Sequence, residues 1–327
     1  MKLASLKNGR DGSLIVVSRD LERGLDARDI APTLQAALDG WDRAAPRLNS
    51  LYRELNEGGA EGAFDLDMRE LASPLPRAFQ FLDGSAYLPH VERVRKARGA
   101  EMPPSFLKDP LMYQAVSDGF LGPMDPIAAI SEEHGIDFEA EVGVITSDIP
   151  MGADPDECAN HIELMVLIND VSLRNLIPAE LAKGFGFVQG KPRSALSPVA
   201  VTPDELGDVW RDGKVHLPLV THLNGELFGK PECGEDMQFS FPELLAHGAR
   251  TRPLSAGTLL GSGTIANKDE SRGSSCLAER RVLEVIRNGK PSTPFMSFGD
   301  KVRIEMLNKG GDSIFGFIEQ RVERYQR

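Results

Sequence analysis

Two hydrophobic periods follow one another along the chain. Near the start, Leu14-Ile15-Val16-Val17 is apolar and mostly β-branched, and the turn-forming pairs Asn8-Gly9 and Asp11-Gly12 precede it, so residues 2–18 read as a β-hairpin. From Pro32 to Asn56 the period changes: Leu34, Ala37, Leu38, Trp41, Leu48, Leu51, Tyr52 and Leu55 recur at helical spacing. Pro46 interrupts that pattern and Gly58-Gly59 ends it, which predicts one or two helices. In Ala72-Ser73-Pro74-Leu75-Pro76-Arg77, two nearby prolines resist helix and central strand alike, and the segment reads as a linker.

Beyond it the strand patterns dominate. Glu139 to Ile145, Glu163 to Ile168, Val215 to Leu223 and Glu226 to Phe228 are predicted strands, the last two joined by an Asn224-Gly225 hairpin turn. Thr258 to Leu260, Lys301 to Met306 and Ser313 to Glu319 complete the set. Ser240-Phe241-Pro242-Glu243 opens a helix, since Ser240 can cap it while Glu243 reaches back. No fixed-period repeat is present. The pattern predicts an α+β, mainly β fold, with a small N-terminal β/α domain over residues 1–76 and a larger domain over 77–327.

Composition narrows the class. With 327 residues, 41% hydrophobic and 26% charged, the chain can bury one large core or two smaller ones and is neither disordered nor fibrous. Its 49 acidic and 37 basic side chains leave a charge of -12, which opposes attraction to nucleic acid or anionic lipid, so no nucleic-acid partner is expected. Apolar runs such as Leu164 to Ile168 and Leu217 to Val220 fall far short of the ~20 residues that cross a bilayer, so no membrane partner is expected either. The N-terminus reaches a polar turn before a signal-peptide apolar region can form, and a cytoplasmic location is expected. Cys158, Cys233 and Cys276, without CxxC spacing, suit reduced thiols.

Three segments carry candidate chemistry. In a strand, Glu139 and Glu141 of Asp137-Phe138-Glu139-Ala140-Glu141 face the same side, which is costly unless a cation or solvent separates the carboxylates; an exposed acidic strand face is the plain alternative. The continuous apolar run Leu164 to Ile168 reads as a buried strand ending at Asn169-Asp170, with Arg174 four residues on; Asp170 could equally cap a turn. Asp83 and His90 stand seven residues apart in the third segment, and His titrates near physiological pH. Several carboxylates about one point favour Mg²⁺, Ca²⁺ or Mn²⁺ over Zn²⁺.

Taken in order, these segments resemble the fumarylacetoacetate hydrolase family from Arg77 to about Arg321. The resemblance implies a rolled mixed β-sheet catalytic domain of the fumarylacetoacetase type and a divalent metal, Mg²⁺ or Ca²⁺ with Mn²⁺ as a further option. It implies Asp83, Glu139, Glu141 and Asp170 as metal ligands and His90 as general base. Arg174 and Lys191 (in Gln189-Gly190-Lys191-Pro192) join it as catalytic cations, while Tyr113 and Thr264 (in Gly261-Ser262-Gly263-Thr264-Ile265) are implied substrate contacts. Three departures stand out. The fumarylacetoacetases carry a glutamine shortly after the metal-binding Asp and Arg, where this chain reads Asn175-Leu176-Ile177-Pro178, leaving Gln189 as its substitute. The smaller family members place Glu three residues after the His, where this chain has Arg93 preceded by Glu92. The Glu that holds the His in fumarylacetoacetases has Glu279 as its nearest counterpart, about two residues further from Gly273 than the family spacing.

The expected activity is metal-dependent hydrolysis of a carbon-carbon bond in a β-diketo acid, with fumarylacetoacetate giving fumarate and acetoacetate, as in aromatic amino acid catabolism. Such a substrate offers two oxygens that can chelate a hard cation. His90, held by Glu279 or Glu92, would take a proton from water, with Arg174 and Lys191 facing the oxyanion. Sister activities remain open: acylpyruvate or fumarylpyruvate hydrolysis, oxaloacetate decarboxylation and 2-keto-4-pentenoate hydration. A non-catalytic cation-binding protein is the rival of another class, and the family implies a homodimer. Gly184 to Gly190 lacks the βαβ setting of a nucleotide loop, and Ser262 lacks that of a nucleophile elbow. His134, His161, His216, His222 and His247 show no HxxxH spacing.

Overall fold

The computed structural model of the chain describes residues 1–97 and 101–326. An 11-stranded sheet runs, in spatial order, through Phe64–Asp65, Arg23–Asp26, Ser13–Val17, Lys2–Leu6, Ala200–Val201, Ile162–Asn169, Ala140–Thr146, Thr258–Gly261, Gln80–Gly84 and Met112–Ala115, with Ala195–Leu196 also paired to Ile162–Asn169. Pairing is antiparallel except between Thr258–Gly261 and Gln80–Gly84. A five-stranded sheet, Glu226–Gly229, Val220–Leu223, Lys301–Leu307, Ser313–Arg324 and Ile127–Ala129, packs against it. The fold is α+β and sheet-dominated, as the pattern predicts. The hairpin of residues 2–17 forms and adds its strands to the large sheet through Lys2 opposite Val201.

Helices cover what the sheets leave open. In chain order they are α1 (Leu34–Leu38), α2 (Trp41–Glu57), α3 (Leu88–Ala97), α4 (Pro155–Ala159), α5 (Ile177–Leu181), α6 (Phe241–Ala249) and α7 (Leu277–Asn288). The strand Ile162–Asn169 shows why its sequence is apolar without alternation. Leu164, Val166 and Ile168 enter the core shared with Leu34, Leu48 and Leu55 of α1 and α2, while Met165 and Leu167 enter the core on the opposite face. Pro46 lies inside α2 without ending it, and the predicted Ser240–Glu243 capping box opens α6.

Two expectations change. The strand predicted over Val215 to Leu223 breaks into Lys214–Val215 and Val220–Leu223, because Pro218 between them has no N–H to give a ladder. The segment 72–77 has no regular secondary structure, yet it is packed: Ser5 donates to the Pro74 carbonyl at 2.7 Å and Ser73 donates to that of Leu121 at 2.8 Å.

Candidate active site and metal centre

Four neighbouring strands of the large sheet build the site at one end of their run. Ile162–Asn169 runs out into Asp170; Ala140–Thr146 starts beside it, with Glu141 opposite Ile168. Thr258–Gly261 ends opposite Gly143, and Gln80–Gly84 carries Asp83 opposite Gly261. The ladder therefore brings together acids far apart in sequence: Asp83, Glu141 and Asp170 each offer a ligand atom within 4.8 Å of the others, and all three are buried. Gly261 between them is the fitted piece. A Cβ there would stand 2.6 Å from Asp83 Oδ1 and 2.9 Å from Glu141 Oε2, so only glycine leaves the acids their room.

The chemistry of this cluster calls for a cation. Asp83 Oδ1 and Glu141 Oε1 are buried without any hydrogen-bond partner. Burial, reinforced by the Asp170 carboxylate, pushes the Asp83 carboxyl up to about 8. Burial, followed by repulsion from Asp83 and Asp170, pushes Glu141 well above its ordinary value. The free oxygens of Asp83 and Glu141, with the mutual repulsion of all three acids, fit a divalent ion.

Glu139 behaves differently, although it lies only two residues from Glu141. Arg174 donates to its Oε1 at 2.6 Å and Lys191 to its Oε2 at 2.5 Å, so the carboxylate is turned to cations and lies outside the three-acid cluster. Burial raises the Glu139 carboxyl, but Arg174 and Lys191 outweigh it and hold it well below its usual value. Lys191 also donates to Asp170 Oδ2 at 2.5 Å, and these carboxylates keep it charged despite burial, with its pKa raised. Arg174 is braced from behind by Asp137, which accepts from Arg174 Nε at 2.8 Å and from the amides of Leu277 and Ala278 at the start of α7. Tyr113 donates to Asp170 Oδ2 at 2.8 Å, and Ser194 donates to Asp170 Oδ1 at 2.6 Å.

His90 comes from α3 and Glu279 from α7, two helices that pack together. His90 Nδ1 lies 3.9 Å from Glu279 Oε1; the imidazole is 19% exposed and the carboxylate fully buried. Burial lowers the His90 pKa below 6.5, opposed by Glu279 and Glu139. Glu92, the other candidate to hold the imidazole, is exposed. Thr264 is buried three residues beyond Gly261, in the loop whose Gly263 amide donates to Glu141 Oε2 at 3.1 Å. Gln189 is exposed; its backbone amide, with those of Val188 and Gly190, is held by the Glu180 carboxylate at 2.8 Å. Sequence reasoning assigns no role to Asp137, Ser194 or Gly261. The first stands in the quoted acidic segment and the last opens the quoted glycine segment, but their partners become apparent only in three dimensions.

Residues 80–323 match the family model described as fumarylacetoacetate (FAA) hydrolase C-terminal, and residues 1–77 match fumarylacetoacetase N-terminal domain 2. Among curated proteins, 2,4-didehydro-3-deoxy-L-rhamnonate hydrolase of Sphingomonas sp. (strain SKA58) is 24% identical over 223 residues, 64% of this chain and 69% of that one. Oxaloacetate tautomerase YisK of Bacillus subtilis (strain 168) is 25% identical over 209 residues, 62% of this chain and 64% of that one. Among solved structures, the fumarylacetoacetate hydrolase of Exiguobacterium antarcticum superposes with a TM-score of 0.67 at 18% identity, covering 99% of this chain and 100% of that one. The maleylpyruvate hydrolase of Sphingobium sp. SYK-6, in complex with manganese(II) ion and pyruvate, gives 0.66 at 15% identity with both chains covered in full. At these identities the structures establish the fold alone, and no helix among the described residues is long and apolar enough to cross a membrane. The family model extends over most of the chain and includes every residue of the site: the protein belongs to the fumarylacetoacetate hydrolase family.

Proposed function

We propose that this chain is a metal-dependent hydrolase that cleaves a carbon-carbon bond in a β-diketo acid, with fumarylacetoacetate as substrate and fumarate and acetoacetate as products. The observation that carries this reading is the His90–Glu279 pair beside a cluster of three buried carboxylates, two of which, Asp83 and Glu141, have an unpartnered oxygen. Asp83, Glu141 and Asp170 would hold Mg²⁺ or Ca²⁺, with Mn²⁺ the alternative, and Glu139 would border the ion. Such an ion supplies a Lewis acid and a clamp for the two oxygens of the substrate.

The protein's own groups do the rest. His90, kept neutral by burial, takes one proton from water as the water oxygen bonds to the carbonyl carbon and the carbonyl electrons move onto oxygen. Lys191 has three N–H donors, two of them on Glu139 and Asp170, and Arg174 bonds through Nε and one terminal nitrogen. Their remaining donors face the oxyanion, a contribution on the order of 3–4 kcal/mol each. When the carbon-oxygen double bond re-forms, the carbon-carbon bond breaks, its electron pair passes to the departing carbon, and His90 returns the proton there. Tyr113 and Thr264 line the substrate, and Gln189 sits on the loop leading to Lys191. A homodimer in the cytoplasm, acting on a small molecule and on neither nucleic acid nor membrane, completes the proposal.

The tautomerase relative favours a second reading, in which the same pair moves a proton between carbon and oxygen of a 2-keto acid without adding water. Turnover in ¹⁸O-labelled water with Mg²⁺ or Mn²⁺ separates the two. The hydrolase reading expects label in the new fumarate carboxylate. Inert fumarylacetoacetate beside rapid enol-to-keto conversion or decarboxylation of oxaloacetate would overturn it.

A further inference from the structure

We propose that Arg93 is a positioning residue that holds the Glu279 carboxylate away from a full ion pair with His90 and so keeps the imidazole ready to accept a proton. The inference rests on the reading of His90 as the base. One oxygen is contested: Glu279 Oε1 accepts from Arg93 Nη1 at 2.6 Å, while His90 Nδ1 stands 3.9 Å from the same atom. Arg93 lies three residues after His90 on α3, so the two side chains share one face of that helix. Its second arm, Nη2, donates to the Asn267 carbonyl at 2.6 Å and to that of Lys268 at 3.3 Å. The planar guanidinium is thus fixed across α3, α7 and the loop beyond Thr264, a span that a point charge does not cover.

The buried surroundings give this arrangement its effect. Glu279 is fully buried, its Oε2 has no partner, and His90 Nδ1 has none either. An ionised carboxylate in that setting needs a cation. Without Arg93 the nearest cation Glu279 could recruit is a protonated His90, and an imidazole that holds its proton cannot take one from water. The other charged groups about His90 are Glu139, which favours its protonation, and Arg174, which opposes it. Arg93 therefore tips a balanced set of charges, from the helix position where smaller family members carry an acid.

The test uses the full chain with Mg²⁺, three variants of Arg93 and one of His90. Arg93→Met should move the acidic limb of the kcat/KM profile to higher pH by about one unit, a roughly tenfold loss of rate on that limb. The imidazole proton resonance of His90, identified by its loss in His90→Gln, should titrate with the same displacement. Arg93→Gln, which keeps a donor for the Asn267 carbonyl but no charge, should do the same and carries the test where the Met variant does not fold. Arg93→Lys, which keeps the charge but not the fork, should restore the limb only in part. Unchanged titration of His90 in a folded Met or Gln variant overturns the inference. A displaced His90 resonance with an unmoved kinetic limb supports Arg93's hold on the imidazole and removes His90 as the base, which separates the two failures.

Discussion

The two halves of the site are built by different means. Asp83, Glu141 and Asp170 stand on or directly after strands whose neighbours on both sides are fixed by backbone ladders, and their separation is set by sheet register and by the missing side chain at Gly261. His90, Arg93 and Glu279 are placed by side-chain contacts between two helices, and the central distance, 3.9 Å, is longer than a hydrogen bond. One half is rigid and short of a positive charge; the other is satisfied in charge and has room to tighten. Ion binding thus needs little rearrangement of the chain, while the proton-moving pair gains its contact as α3 and α7 adjust or as a water enters.

The largest expected effect falls on the rigid half. Glu141→Gln should weaken divalent-ion affinity by more than the roughly 10–100-fold that a change outside the ligand set costs, and should abolish turnover. Calorimetric titration with Mn²⁺ reads this directly, and unchanged affinity would dissolve the distinction between the halves. Next, His90→Ala should lose at least ~100-fold in kcat while that affinity stays within experimental error. Loss of ion binding in this variant would show that the halves are one unit.

The smallest effect sharpens the comparison through stability. Asp83 and Glu141 have folded pKa values above their unfolded ones, so they favour the ion-free fold fully at pH below about 4 and lose that contribution as pH rises toward about 8. His90 and His216, lowered on folding by burial, act in the opposite sense, but Glu163 and Glu232, raised by burial, add to the two acids. The melting temperature of chelator-treated protein should therefore fall between pH 5 and pH 8 by at least about 2 °C, the shift produced by roughly 1 kcal/mol in a chain of this size. Saturating Mg²⁺ should remove the decline. A chelated protein that grows steadily more stable over this range would show that the acids are already satisfied.

The rigid half was also the legible half. The apolar run Leu164 to Ile168, the segment around Glu141 and Thr258 to Leu260 mark three of its four strands, because burial on both faces leaves a dense hydrophobic signature. The strand Gln80–Gly84 and the helices α3 and α7 go unassigned by sequence reasoning, though Val282, Leu283 and Ile286 stand at helical spacing from one another. Glu279 could be named only through the resemblance, since nothing local ties residue 279 to residue 90; the contact depends on α3 and α7 packing together. The different fates of Glu139 and Glu141 were equally hidden. Their spacing gives them one strand face, but which acid meets Arg174 and Lys191 is decided by residues 35 and 52 positions away.

The position of Gly261 also orders events in time. Its strand inserts between Ala140–Thr146 and Gln80–Gly84, so a nascent chain that stops before residue 258 leaves both of those strands with an open edge at the heart of the sheet. Parallel pairing of Thr258–Gly261 with Gln80–Gly84 closes a very long loop, and such closures are slow and expose strand edges to aggregation while they wait. The acidic pocket exists only once that insertion is made, so cation uptake during refolding is a clock for completion of the β-topology, running behind any signal from the N-terminal hairpin.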